Sequence, residues 1–445
     1  MSHHPEKPWD QEASADANGP TPEDASTELA FPDGGYKAWL TVAGGFLAQI
    51  SSIGFLSAFS VFQSYYGEIM PSQTASNISW IGSLQIFGCF FLGLWSGRLS
   101  DKRGPKLPLA LGTFFMVFGT MMASISKSYY QFVLSQGLCS AIGFGLVFTP
   151  ALAVQSQWFQ RKRGFVVGLV MSGQNIGGVI WPVIVDQLIN NRQLSLGWTL
   201  RTIGFLQLFL MVMATLLVSP RFTRIPREPI PVKQFLADKR TTLFTLSTLI
   251  FFFAVYIPYF YISPYVLQGG ASLNMAFYLS SILNAGAFFG CYVFGLGADR
   301  GLGAFNALTV VAFGCAVTAF GWIGRQNNAG LIVWTVIYGF LSGAVQALFS
   351  PCISHLAPEP GLIGTWNGMS FLDTLQLNRI NKIQLGICIT VVSFAVLGTG
   401  PIAGRLYDNA LGTYLSMQLF TGVFLTVASV LYLATRLTVS KAVVV

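Results

Sequence analysis

Twelve runs of about twenty apolar residues, none with a charge near its centre, recur along this chain at 38–62, 79–97, 107–126, 129–154, 165–189, 198–218, 242–263, 274–297, 304–324, 329–353, 383–404 and 411–434. A helix of ~20 apolar residues crosses the hydrocarbon core of a bilayer, because a helix bonds its own backbone groups where no water is available. The runs therefore predict twelve transmembrane helices. Charged residues make up 9% of the 445 residues, against ~25% in a soluble domain, which removes the water-soluble alternatives. The segments between runs are too short for a folded extramembrane domain, so function has to lie among the helices. The expected fold class is an all-α membrane protein.

Eight of the seventeen acidic residues fall in the first 33 positions. Residues 1–35 cannot bury enough apolar surface to offset ordering and are expected to be a disordered cytoplasmic tail. An acidic start followed by a late apolar run also excludes a cleaved signal peptide. From Gly34 onward, 24 Lys and Arg stand against 9 Asp and Glu. In a soluble chain that excess would suggest nucleic acid. Here it suggests loops retained on the cytoplasmic side during insertion, and no nucleic-acid partner is expected. With the tail inside, inner segments hold twenty basic residues and outer ones five, so both termini are expected in the cytoplasm of a multi-pass cell-membrane protein. The loop 219–241, with four prolines and six basic residues, reads as a cytoplasmic linker between six-helix bundles at 36–218 and 242–445. The six cysteines show no CxxC or Cys/His spacing, so neither a metal nor a disulfide framework is expected, nor any cofactor. HExxH, GxSxG and P-loop strings are absent and there are three His, which argues against a membrane enzyme. The lack of a long tail or loop argues against a receptor-like sensor.

The chain looks duplicated. Gly97, Arg98, Asp101, Lys102 and Gly104 follow the second run, and Gly295, Asp299 and Arg300 follow the eighth, a Gly-x-x-x-Asp-basic spacing repeated 198 residues apart. Pro150 and Pro351 end the fourth and tenth runs 201 residues apart, so two signals agree on one repeat. These strings resemble the signature loops of the major facilitator superfamily. The opening from Pro32 and Asp33 through Gly34, Gly35, Tyr36 and Lys37 to Trp39 resembles the monocarboxylate-transporter-like family within it. So, in order, do Ser79-Trp80-Ile81-Gly82-Ser83-Leu84-Gln85, Trp158-Phe159 before Arg161-Lys162-Arg163-Gly164, and Gly168 with Ser172, Gly173, Gly177 and Gly178. The fungal branch fits best, and the likeness runs from about Pro32 to the end. It implies two bundles with inverted repeats and alternating access around a midplane cavity.

Within that resemblance, Asp101 beside Arg98 and Arg103 at a cytoplasmic helix end is expected to form a charge-assisted latch, with Gly97 and Gly104, and Asp299 and Arg300 in the second half. The alternative is that these charges anchor loops at the head groups. Gly173 with Gly177, and Gly286 with Gly290, stand four apart and allow close helix approach, and their recurrence in both halves favours a moving interface. Pro150, Pro182, Pro258, Pro351 and Pro401 are expected to bend their helices.

Charged side chains at membrane depth mark function, and the run centres carry essentially none. Asp186 and Arg201 sit towards the outer ends of the fifth and sixth runs. Where monocarboxylate carriers place a Lys in the first helix and an Asp and Arg in the eighth, the resemblance aligns Ser57, Ala287 and Cys291. Without a buried cation an organic anion would shed its hydration for neutral partners alone, so a larger, neutral or weakly charged small molecule is expected. Asn284, on the face of Ala287 and Cys291 by i, i+3, i+7 spacing, is the leading ligand candidate, with interhelical glue as the alternative. The superfamily's cavity-lining helices add Gln49, Tyr256, Tyr259 and Gln346. Asn77 opens a glycosylation sequon on an outer loop, but it abuts the second run and is read as bare.

The expected function is a secondary transporter that exports a fungal secondary metabolite, the alternative being uptake of a monocarboxylate or a flavin-like vitamin. One segment departs from the family pattern: residues 371–390, with Asp373, Gln376, Asn378, Arg379, Asn381 and Lys382, are too polar for hydrocarbon. They form either an extended cytoplasmic loop or translated intron, the working helix then starting near Trp366. Sequencing the mature transcript decides between them. The intron reading expects a message without codons 371–390, and an uninterrupted message removes it.

Overall fold

The computed structural model describes residues 32–159, 163–221, 238–297, 303–324, 327–356, 371–410 and 412–439, and each of the twelve apolar runs falls on a helix. These are α1 (Tyr36–Ser57, continued by Phe59–Ile69), α2 (Ala75–Phe91 and Gly93–Arg103), α3 (Lys106–Ala123), α4 (Tyr129–Ala153), α5 (Arg163–Asp186) and α6 (Leu196–Leu217). The second half supplies α7 (Lys239–Val255 and Ile257–Gln268), α8 (Leu273–Gly297), α9 (Ala304–Phe320), α10 (Asn328–Leu356), α11 (Phe371–Asn409) and α12 (Leu415–Val439). No strand occurs among the described residues. Ten of the helices are long and apolar enough to cross a membrane alone, α2 reaches that length as a bent pair, and α9 is the shortest at 17 residues. Helix starts follow local chemistry: the Thr74 side chain accepts the Asn77 N–H, Ser128 and Gln131 form a capping box, and Asp238 accepts the N–H groups of Arg240 and Thr241.

In the first half α1 packs on α5 and α6, α3 on α4 and α6, and α2 on α4. In the second half α7 packs on α11 and α12, α8 on α10, and α9 on α10 and α12. Between the halves α2 meets α11, α5 meets α8, and the second part of α1 meets the second part of α7. With little net hydrophobic drive between helices in lipid, close packing of small residues has to hold each group together. A Cβ on Gly173 or Gly177 would stand 2.5 Å from the carbonyl oxygens of Phe46 and Ile50 in α1. One on Gly290 would overlap the Phe340 carbonyl of α10, and α10 returns the contact with Gly339 and Gly343 against Leu283 and Ala287. Both glycine pairs expected at a moving interface thus lie inside a half, not between halves. Glycines that do bridge the halves include Gly82 of α2, against Phe260 of α7, Gly178, beneath the Asn284 side chain, and Gly400 and Gly404 of α11, against Ser76, Ser79 and Ser83 of α2.

The bends also differ from expectation. Pro150, Pro182, Pro264 and Pro401 are carried inside helices, while α2 bends by 41° at Leu92, where there is no proline. There Gly93 and Gly97 let α2 close on Thr149 of α4. Helix α1 breaks at Ala58 (φ −87°, ψ 7°) and α7 at Tyr256 (φ −85°, ψ −7°), with Pro258 just beyond. These two breaks are 198 residues apart, the repeat length of the signature loops. Carbonyls near the irregular turns find side-chain donors: the Trp181 indole N–H meets Ile50 O at 2.8 Å, and the Tyr338 hydroxyl meets Val255 O at 2.9 Å.

Residues 371–390 are helical, so an extended loop is excluded. They open the 39-residue α11, and helical bonding satisfies the polar segment's backbone without a loop. The tail, most of the linker, Asp299 and Arg300 lie outside the described residues.

Gly290→Val is expected to abolish monodisperse protein on size exclusion, since overpacking costs about 1–3 kcal/mol and here the added carbon would overlap the backbone carbonyl of Phe340. Gly168→Val, where a Cβ meets nothing within 4 Å, should leave the yield unchanged.

Candidate functional site

The breaks in α1 and α7 face each other across a cavity of about 30 Å³ between the two halves. Ile53, Leu56, Ser57 and Phe59 of α1 and Tyr256, Tyr259 and Phe260 of α7 form opposite walls. Helix α2 adds Ile86, Cys89 and Phe90, at i, i+3, i+4 spacing, and α5 adds Gln174 and Asn175. Asn284 of α8 and Gln346 of α10 complete the lining. None of these side chains is Asp, Glu, Lys, Arg or His, so the cavity presents hydroxyls, carboxamides, a thiol and aromatic faces.

Four of the six sequence candidates line this space. Tyr259 is buried, and its hydroxyl shares a hydrogen bond with Ser342 at 2.9 Å. The Tyr256 ring meets Tyr259 edge-on at 5.7 Å. Gln346 Oε1 accepts from Gln174 Nε2 at 3.0 Å. Asn284 is 1% exposed; its Nδ2 donates to Ser280 O at 2.9 Å and its Oδ1 has no partner. Unpaired amide oxygens in a low-dielectric interior are costly, so they mark positions kept for something other than stability.

The other two candidates are not in the lining. Cys291 accepts from Asn175 Nδ2 at 3.5 Å and donates to Gly343 O at 3.1 Å, so its sulfur is held between α5 and α10. Gln49 is fully buried one turn before Ile53, with both ends of its amide unpartnered. The sequence reading missed Cys89, Gln174 and Asn175 because it took cavity walls only from the first, fourth, seventh, eighth and tenth runs. A Gln-Asn pair amid the glycines of an apolar run was the available signal.

Above the cavity, on the face away from the start of α1, the halves are joined by small polar contacts. Ser60 donates to Ser280 at 3.2 Å and accepts from Ser263 at 3.1 Å, and the rings of Phe59 and Phe260 meet edge-on at 5.5 Å. The Ser76 N–H at the start of α2 meets Asp408 Oδ2 at 3.3 Å, and Ser76 Oγ donates to Pro401 O at 2.9 Å.

At the opposite face the signature residues form the last turn of α2. Gly97 faces Thr149, Arg98 and Asp101 are half-buried, Arg103 is exposed, and Gly104 closes the turn at φ +82°, where a side chain would be strained. Asn77 lies in the first turn of α2, its amide donating to Gln73 Oε1 at 3.0 Å. Asp186, 1% exposed near the far end of α5, accepts from Asn190 at 2.7 Å. Arg201 lies over the Trp198 ring at 4.8 Å.

The profile described as Major Facilitator Superfamily matches residues 41–372, ending where the polar segment begins. "MFS-type transporter 1" of Ophiocordyceps sp. is 38% identical over 96% of this chain and 91% of its own length. The agnestins efflux protein of Paecilomyces divaricatus is 34% identical, over 92% and 89%. Among solved structures, the nucleoside transporter NupG superposes with a TM-score of 0.67 at 13% identity, covering 89% of this chain and 99% of that one.

Replacing Asn284 by Leu removes the unpaired Oδ1. The melting temperature in detergent should rise, by an amount corresponding to about 1 kcal/mol. A fall of that size would mean that the amide is structural glue.

Proposed function

As the chain belongs to the Major Facilitator Superfamily, we propose that it is a secondary transporter that exports a neutral or weakly charged organic molecule, a fungal secondary metabolite, by alternating access. The observation that carries this reading is the absence of any charged side chain from the cavity wall. A carboxylate entering there would lose its hydration and gain only neutral partners, whereas an aromatic, largely apolar product loses little. The efflux role named for the agnestins relative supports the direction. The monocarboxylate-transporter-like branch supplies the scaffold, with a neutral site in place of its clamp.

In this reading the cargo stacks on Tyr256 and Tyr259 and bonds to Asn284 and Gln346. Gln49 and Cys291 stand just behind and engage it as the halves part. The cavity of about 30 Å³ holds a water or two, while a drug-sized ligand takes ~300–1,000 Å³, so loading requires the two bundles, 36–218 and 242–445, to separate. The seal of Ser60, Ser263 and Ser280 closes the outer side. Gly97, Arg98, Asp101, Arg103 and Gly104 form the inner latch, with Asp299 and Arg300 as their second-half counterparts. Both termini face the cytoplasm and the protein resides in the cell membrane.

Deleting the gene in its host and comparing small molecules in cells and medium tests the assignment. Export predicts that one product accumulates inside the cells and falls in the medium, with restoration by the intact gene and not by Asn284→Leu. Depletion of a medium nutrient by the intact strain alone would instead establish uptake.

A further inference from the structure

Helix α5 meets the second bundle at cavity level through carboxamides. Gln174 Nε2 donates to Gln346 Oε1 at 3.0 Å, Asn175 Nδ2 reaches the Cys291 sulfur at 3.5 Å, and Gly178 lies under the Asn284 amide. Gln174 is 5% exposed, and both it and Gln346 line the cavity. The Cys291 contact is a long bond to a weak acceptor. The Gln174–Gln346 bond has ordinary length and joins the bundles directly. Any cargo larger than the present cavity must separate α5 from α10 and break it.

We propose that the Gln174–Gln346 bridge is the exchangeable closure of the cargo site, and that it admits neutral molecules carrying a hydrogen-bond donor beside an acceptor, such as a lactam. The inference rests on the transport reading above and names the chemistry of its cargo. A neutral amide–amide bond is weak in net terms and about half as strong as a charge-assisted one, so thermal motion opens it. Once open, it leaves an N–H on Gln174 and a carbonyl on Gln346 in a site of low dielectric, where unpaired polar groups are costly. A guest repairs both only by offering an acceptor to the first and a donor to the second. A carboxylate offers acceptors alone and sets lone pairs against Gln346 Oε1, and a hydrocarbon offers neither. The bridge bonds to itself when the site is closed and selects its own complement when the site is open.

Cys89, fully buried in the cavity wall, reports on the bridge without knowledge of the natural cargo. The full-length protein in proteoliposomes is treated with N-ethylmaleimide, and modification at Cys89 is followed by peptide mass spectrometry. Gln174→Ala and Gln346→Ala should each raise the labelling rate about tenfold, with Gln174→Asn, which keeps the amide but shortens its reach, in between. In the wild type, 2-quinolone, a lactam with N–H beside C=O, should protect Cys89 about fivefold better than N-methyl-2-quinolone, the factor expected of one hydrogen bond, and Gln346→Leu, which removes the acceptor for that N–H, should erase the preference. Unchanged labelling in the folded single variants overturns the closure. Equal protection by the two quinolones, or none by either, overturns the cargo class. Neither readout depends on the direction of transport, so a failed export assay and a failed bridge are separate results.

Discussion

Hydrocarbon offers no hydrogen bonds, and the form of this protein follows from that. Each backbone N–H and C=O in the span must be met within its own helix or by a neighbour. The chain can therefore leave regular helix only where another helix brings a donor. The Trp181 indole serves the π-helical turn beginning at Ile50, and the Tyr338 hydroxyl serves Val255 at the α7 break. The irregular turns of α1 and α7 occur together at the centre, and the irregularity that costs most in lipid is what gives the cavity its walls.

Solvation also explains why the two halves are built differently inside and between. Inside each half, glycine lets backbone touch backbone, as at Gly290 against Phe340 and Gly177 against Ile50. Such contacts hold by dispersion over a large, shape-matched area and tolerate no displacement. Between the halves, beside the glycines of α11 on α2 and the Phe59–Phe260 ring pair, the hydrogen bonds are made by hydroxyls, carboxamides and a thiol: Ser60 with Ser263 and Ser280, Gln174 with Gln346, Asn175 with Cys291. Bonds of that kind break singly and re-form with new partners. Rigid bodies joined by exchangeable bonds are what a rocking carrier requires.

In the proposed reading the neutral cavity sets the selectivity. A charged site would fix one ionised group by long-range attraction. Amides and aromatic faces instead read shape and the arrangement of donors and acceptors at short range, which suits bulky organic products that differ in decoration more than in charge.

The sequence by itself determined the solvent, the succession of apolar helices and the neutrality of the span centres, because apolar run length and charge placement are local or periodic properties of a chain. It also marked Asn284, Tyr256, Tyr259 and Gln346 as candidates that the structure brings to one cavity. Only the tertiary structure decided which polar residues face inward together. Gln49 and Cys291, as plausible by position, lie behind the wall, while Cys89, Gln174 and Asn175, on runs set aside in the reading, form part of it. The prolines likewise gave no sign of the 41° bend at Leu92, where Gly93 and Gly97 admit Thr149. Helix rotation and the depth of contact between helices are set by how small residues on several distant segments interlock, and no single segment carries that information.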